Sequence, residues 1–198
     1  MEQLALFPDL HAARPKSPVP FYARDVVFFG IRLSELGNEA ADVHRMLKRS
    51  HGLTGIPYQP SRLHVLLLRV GDREKLSAED LEALGGAASR VRVTSFPISF
   101  EKVFSFDGNA GRDERRAVVF PVAEGAAEAI ALARDIEDAL DRRVHIEGQP
   151  PPSPHMTLLR DRVRVPPTSL DPPFGARVTG FELICSHRIE HRYSTLWP

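Results

Sequence analysis

The sequence predicts an α+β fold of two similar lobes with curved sheets. Three observations lead there. Short strands and helical stretches follow the order strand, helix, strand, helix, strands, helix, strands. The first and last parts of the chain each pass through a helix and reach an apolar strand that begins with a histidine. That is a repeat of architecture rather than of residues. Finally, 198 residues with 42% hydrophobic content suffice for one domain with a full core, or two small lobes sharing one.

The elements follow in order. Residues 8–20, "PDLHAARPKSPVP", hold four prolines and read as an extended lead-in. We therefore expect residues 1–20 to be a proline-rich N-terminal extension and 21–198 a single bilobal domain. "DVVFFGIRL" (25–33) is β-branched and aromatic, hence a strand. "SELGNEAADVHRMLKRSHG" places Ala40, Val43, Met46 and Leu47 at helical spacing, with Gly52 as the stop. "RLHVLLLRVG" (62–71) is the next strand. In "SAEDLEALGGAASRV", Ser77 with Asp80 three places on forms a helix-opening cap.

Two strands, "RVTSFPISFEKVFSF" and "RRAVVFPV", flank the turn-forming "DGNAGRDE". Phe96, Phe100, Phe104 and Phe106 keep an even spacing, which reads as one core-facing row. "EGAAEAIALARDIEDALDRR" is the clearest helix, with Ile130, Ala133, Ile136 and Leu140 on one face. The loop "EGQPPPSP" leads into the strand "HMTLLR". A further proline-containing loop precedes the strands "ARVTGFELICSH" and "RYSTLWP", whose Tyr193 and Trp197 read as packing residues.

Basic and acidic residues balance at 26 each, which disfavours a protein that coats long nucleic acid and fits one that handles a terminus or small nucleotide. The single Cys185 excludes an intramolecular disulfide and an all-cysteine metal site. No secretory signal or membrane-length apolar run is present, so a cytoplasmic location without membrane association is expected. No obligate protein partner is evident.

In a strand, residues two apart share a face, so His155 and Thr157 project together while Met156 and Leu158 turn to the core. A histidine moves a proton near neutral pH and a threonine hydroxyl donates a hydrogen bond, which together make half a phosphate site. In-line attack on a phosphodiester needs a base on one side and an acid on the other, hence a second histidine. Of eight histidines, His11 lies in the lead-in, His44 and His51 on a helix and His145 in a turn. Only His64 repeats the context of His155, opening an apolar strand after a proline-containing loop. "HRIEH" (187–191) matches a zinc-protease order, but that chemistry needs a helix and a third downstream ligand, so it is rejected.

"RLHVLLLRVG" and "SPHMTLLR", 91 residues apart from His64 to His155, resemble the paired His-x-Thr/Ser motifs of the two-histidine (2H) phosphoesterase superfamily. The nearest branch is the bacterial 2′-5′ RNA ligase family, also described as RNA 2′,3′-cyclic phosphodiesterases. "FSFDGNAGRDERRAVVFPV" is similar to that family's mid-chain hairpin and "FELICSHRIEHRYSTLWP" to its ending. The resemblance implies a bilobal fold of mostly antiparallel sheets around a central cleft with helices outside, one motif per lobe, with His64 and His155 as the acid–base pair and Thr157 holding phosphate. It further implies opening of a 2′,3′-cyclic phosphate on an RNA terminus or small cyclic nucleotide, with no cofactor, metal or nucleoside triphosphate. Some members also join RNA ends reversibly through a 2′-5′ bond. Tyr58, Arg62 and Arg160 are further candidates for substrate contact, although simple alternation along the strand points Arg160 away from the histidines.

The first motif departs from the pattern, because Leu66 stands where a hydroxyl is expected. Losing one donor to a developing oxyanion costs about 10²–10³ in rate. The rival expectation is therefore a weakened or inactive nucleotide- or RNA-end-binding protein on the same fold.

Overall fold

The computed structural model describes residues 24–106, 115–140, 144 and 146–198. The N-terminal extension, His11, the "DGNAGRDE" turn and His145 lie outside these residues. The element order is β1 (Val26–Arg32), α1 (Gly37–His51), β2 (His64–Asp72), α2 (Ala78–Ala88), β3 (Phe96–Ser105), β4 (Arg116–Pro121), α3 (Ala126–Ala139), β5 (His155–Asp161), β6 (Thr168–Val178), β7 (Glu182–His187) and β8 (Arg192–Trp197). No helix among the described residues is long and apolar enough to cross a membrane.

Local signals explain the boundaries. Gly52 ends α1 in the left-handed region (φ +71°), returning its N–H to the Lys48 carbonyl, a conformation glycine adopts without Cβ strain. Ser77 and Asp80 form a full capping box at the start of α2. The loop expected after β5 is instead largely the edge strand β6. Its Pro172 and Pro173 fall where the pairing with β3 skips, between Phe174↔Phe100 and Ser169↔Lys102, so no ladder donor is missed. Correspondingly, "ARVTGFELICSH" is split, with β6 ending at Val178 and β7 beginning at Glu182.

The strands run β6-β3-β4-β5-β2-β1-β7-β8, with every pairing antiparallel. The two predicted lobes are the two four-strand halves of this order, and the halves match. Each has a strand–helix–strand unit, β1-α1-β2 or β4-α3-β5, whose second strand lies at the centre and opens with a histidine. The two central strands, β2 and β5, are registered through one residue pair, Val65↔Met156. A common core runs through both, with Phe29, Phe100 and Phe120 wholly buried.

The halves are also cross-docked. Helix α3, from the β4–β5 unit, packs on β2 of the other half and on α2. In return, the segment after α1 docks on β5: Tyr58 N–H donates to the Leu158 carbonyl (2.8 Å), and Thr54 N–H (2.7 Å) and Gly55 N–H (2.5 Å) donate to Asp161 Oδ2. The other Asp161 oxygen accepts from Val163 N–H (2.8 Å). Burial opposes ionisation of this 1%-exposed aspartate, but the backbone N–H groups outweigh it and hold the carboxyl below its usual range. Asp161→Ala leaves those donors orphaned and is expected to cost about 2 kcal/mol, read as a lower denaturant midpoint at unchanged slope.

Candidate active site

The central strands set up the site through the same device twice. In β2 the burial alternates from His64 to Leu66, and β5 repeats the pattern from His155 to Thr157. His64, Leu66, His155 and Thr157 are partly exposed, while Val65 and Met156 are buried. Continuing the antiparallel register one residue either side of Val65↔Met156 sets His64 opposite Thr157 and Leu66 opposite His155. All four therefore share one face, where the two halves meet.

A bulge then follows in each strand. β1 pairs Phe29 with Leu68 and Gly30 with Leu66, leaving Leu67 extra; β4 pairs Val118 with Leu159 and Val119 with Thr157, leaving Leu158 extra. A bulge shifts the alternation by one. Through Ala117, Val119 and Pro121, Arg160 consequently shares the face of Thr157 and His155, correcting the expectation that it points away. Arg160 is exposed. Arg69 returns to the face of His64 in the same way, opposite Phe28. The repeated stretches are "HVLLLR" and "HMTLLR", so the internal repeat is one of residues as well as of architecture.

Both histidines are held alike. His64 Nδ1 lies 2.9 Å from the Arg62 carbonyl, and His155 Nδ1 lies 3.0 Å from the Ser153 carbonyl. A carbonyl only accepts, so each Nδ1 carries a proton, and each Nε2 lies on the opposite edge of its ring. This backbone clamp two residues upstream is the same in both halves.

Their surroundings differ. His64 is enclosed by Phe28 (centroids 4.8 Å apart) and Tyr193 (5.2 Å), whose hydroxyl is 3.4 Å from Nδ1. The Arg62 guanidinium lies over Tyr58 (4.5 Å) and Tyr193 (5.1 Å). Burial, only partly offset by the hydrogen bond to the Arg62 carbonyl and reinforced by the charge of Arg62, lowers His64 to about 4. Arg32, paired with His64 across β1–β2, fixes the approach to it by donating to the Ser61 carbonyl (2.7 Å) while forking onto Glu182. His155 is more open and stacks on Phe106 at 5.2 Å with 28° between the planes.

The structure thus brings His64, His155 and Thr157 together, with Arg160 on their face. It sets Arg62 over both Tyr58 and Tyr193, the latter against His64.

Sequence reasoning missed Phe28, Arg32 and Phe106, and gave Tyr193 a packing role only. Phe106 fell outside the expected core row because β3 shifts register between Phe100 and Lys102, turning Phe104 and Phe106 to the other face. Phe106 is 37% exposed. An open cavity of about 470 Å³ is lined by Phe104, Arg164 and Pro166. The "HRIEH" stretch forms a turn between β7 and β8, not a helix.

Two matching halves, each presenting a strand-opening histidine on one shared sheet face, define the two-histidine architecture. The chain belongs to the 2′-5′ RNA ligase superfamily, whose model matches residues 33–188. It is similar to E. coli LigT solved with 3′-AMP (26% identity, TM-score 0.60, covering 87% of this chain and 94% of that one). It also resembles a structure described only as a phosphoesterase (25% identity, TM-score 0.64, 86% and 94% covered). TT0787 of Thermus thermophilus, at 23% identity with TM-score 0.59 and 86% and 94% covered, shares the fold. No curated protein matches.

Proposed function

We propose that the protein is a metal-independent phosphodiesterase that opens a 2′,3′-cyclic phosphate on an RNA terminus or a small nucleotide, with His64 and His155 as its acid–base pair. The observation that carries this reading is the matched pair of backbone-clamped histidines on one face. Thr157, across from His64, donates to a phosphate oxygen, and Arg160 supplies positive charge on the same face. The 3′-AMP seen with E. coli LigT supports a nucleotide ligand. The balanced charge of the chain supports a small or terminal substrate over extended RNA. Joining of RNA ends through a 2′-5′ bond is the same ring opening with an RNA 5′-hydroxyl in place of water: the new P–O bond forms as the bond to the 3′ oxygen breaks, and attack by that 3′ oxygen on the 2′-5′ linkage reverses it.

The unequal surroundings divide the roles. His64, held unprotonated, takes the proton from the attacking water through Nε2. His155 in its protonated form returns one to the leaving ribose oxygen. The water oxygen forms the new P–O bond as the bond to that ribose oxygen breaks, and the proton count closes across the two rings.

The pH profile tests this division. The acid limb of kcat/KM that belongs to His64 is expected near pH 4, and an acid limb at the ordinary histidine value of 6.5 would contradict its role as base. The same lowering predicts a stability trend. Between 6.5 and about 4 the unfolded chain binds the proton that folded His64 refuses, so stability is full above 6.5 and falls as pH drops through that window.

Leu66 favours the second reading, a nucleotide- or RNA-end-binding protein with little turnover. Hydrolysis of a 2′,3′-cyclic nucleotide in the presence of chelator separates the two, because measurable turnover supports the enzyme and tight binding without turnover supports the binding protein.

A further inference from the structure

On the opposite face of the sheet, away from His64 and His155, a second set of chemically active side chains converges. Cys185 and His187 are two apart on β7 and so share a side. Val27 pairs with Cys185, and continuing that regular antiparallel register sets Asp25 across from His187. One donor atom from each of Asp25, Cys185 and His187 lies within 4.8 Å of the others. His187 Nδ1 is 2.8 Å from Asp25 Oδ2, and its Nε2 is 2.8 Å from Ser194 Oγ on β8.

We propose that Asp25, Cys185 and His187 form a binding site for a zinc-class divalent cation, with Ser194 orienting the histidine. One sulfur, one imidazole nitrogen and one carboxylate oxygen make a mixed set that suits a borderline-soft ion, whereas calcium or magnesium asks for oxygens alone. Two ligands at i and i+2 of one strand, with a third from its neighbour, start from a rigid ladder. With bonds of about 2.0–2.3 Å, donors around a tetrahedral ion stand about 3–4 Å apart, so small side-chain rotations close the set.

Ser194 supplies the outer partner such a ligand needs. With the ion on Nδ1, the ring proton moves to Nε2, where Ser194 Oγ accepts it. Binding exchanges the thiol proton of Cys185 for the S–metal bond and releases that proton to solvent. Asp25 Oδ1 already accepts from Arg188 N–H, which leaves Oδ2 as the oxygen for the ion. Burial and the Asp25 carboxylate push the Cys185 thiol up, and Arg73 and Arg192 nearby oppose a cation, so with three protein ligands the affinity is expected to be moderate. The ion would join the start of β1 to the β7–β8 hairpin and take no part in phosphate chemistry.

Cobalt(II) titration of the full, chelator-stripped chain tests the site. The expected result is one equivalent bound, with a thiolate-to-cobalt charge-transfer band that zinc displaces. Cys185→Ser should abolish the band, and His187→Gln should weaken binding at least tenfold. Ser194→Ala should keep the band with affinity about 10–100-fold lower. His64→Gln and His155→Gln, on the other face, should leave the band unchanged. If Cys185→Ser fails to fold, His187→Gln and Ser194→Ala carry the test. Absence of the band, or its loss only in the His64 and His155 variants, would show that Asp25, His187 and Ser194 are a hydrogen-bonded clasp and nothing more.

Discussion

His155→Ala is expected to lower kcat/KM toward a 2′,3′-cyclic nucleotide by about 10²–10⁴, while wild-type turnover is unchanged by chelator. His155 has the more open ring, stacked on Phe106 and turned by the Ser153 carbonyl so that its Nε2 edge is free. Alanine removes the proton donor and leaves the strand intact, since Met156 and Leu158 still fill the core. His64→Ala should cost about as much, and the double variant little more, because two groups working on one displacement are not additive. Turnover that persists in His155→Ala would end the two-histidine reading on this substrate class.

Leu66→Thr is expected to raise turnover by up to about 10²-fold, the size of effect that one well-placed donor has on a developing oxyanion. The register places residue 66 opposite His155 as it places Thr157 opposite His64, so the new hydroxyl enters a position the fold already supplies. Leu66 is partly exposed and threonine suits a strand, so little stability should be lost. An inactive wild type that gains turnover in Leu66→Thr would show a face retuned for binding. Equal rates in both proteins would place the phosphate oxygen away from residue 66.

Much of this architecture was legible because it rests on short-range pattern. The Ser77–Asp80 cap, the Gly52 stop and the alternation around His155 each need only a few neighbouring residues, and each forms as expected. That His64 and His155 would open matching strands was legible too, since both begin apolar runs after proline-containing loops. What alternation conceals is the bulge. Leu67 and Leu158 look like ordinary strand residues, yet each extra residue swings the following arginine onto the histidine face. The shift in β3 likewise carried Phe106 out of an expected core row and onto His155. Long-range placement was equally hidden. Nothing near Tyr193 in the chain signals that it will sit against a histidine 129 residues earlier. The prolines of β6 read as loop because their tolerance depends on the strand lying at an edge, a fact of topology.

The cross-docking of the halves has a consequence for how the chain comes together. β1 lies between β2 and β7, and the segment after α1 closes on Asp161, so the first half lacks its partners until residues beyond 155 are available. As the ribosome delivers the chain from its N-terminus, the first half would wait with an open sheet edge and an unpaired docking segment. Assembly is then dominated by contacts of large sequence separation, the regime of slow folding. The matching halves are therefore not modules that can be made one at a time: β1 and β2 wait both for β7 of their own half and for Asp161 of the other, and the histidine face exists only once both have closed.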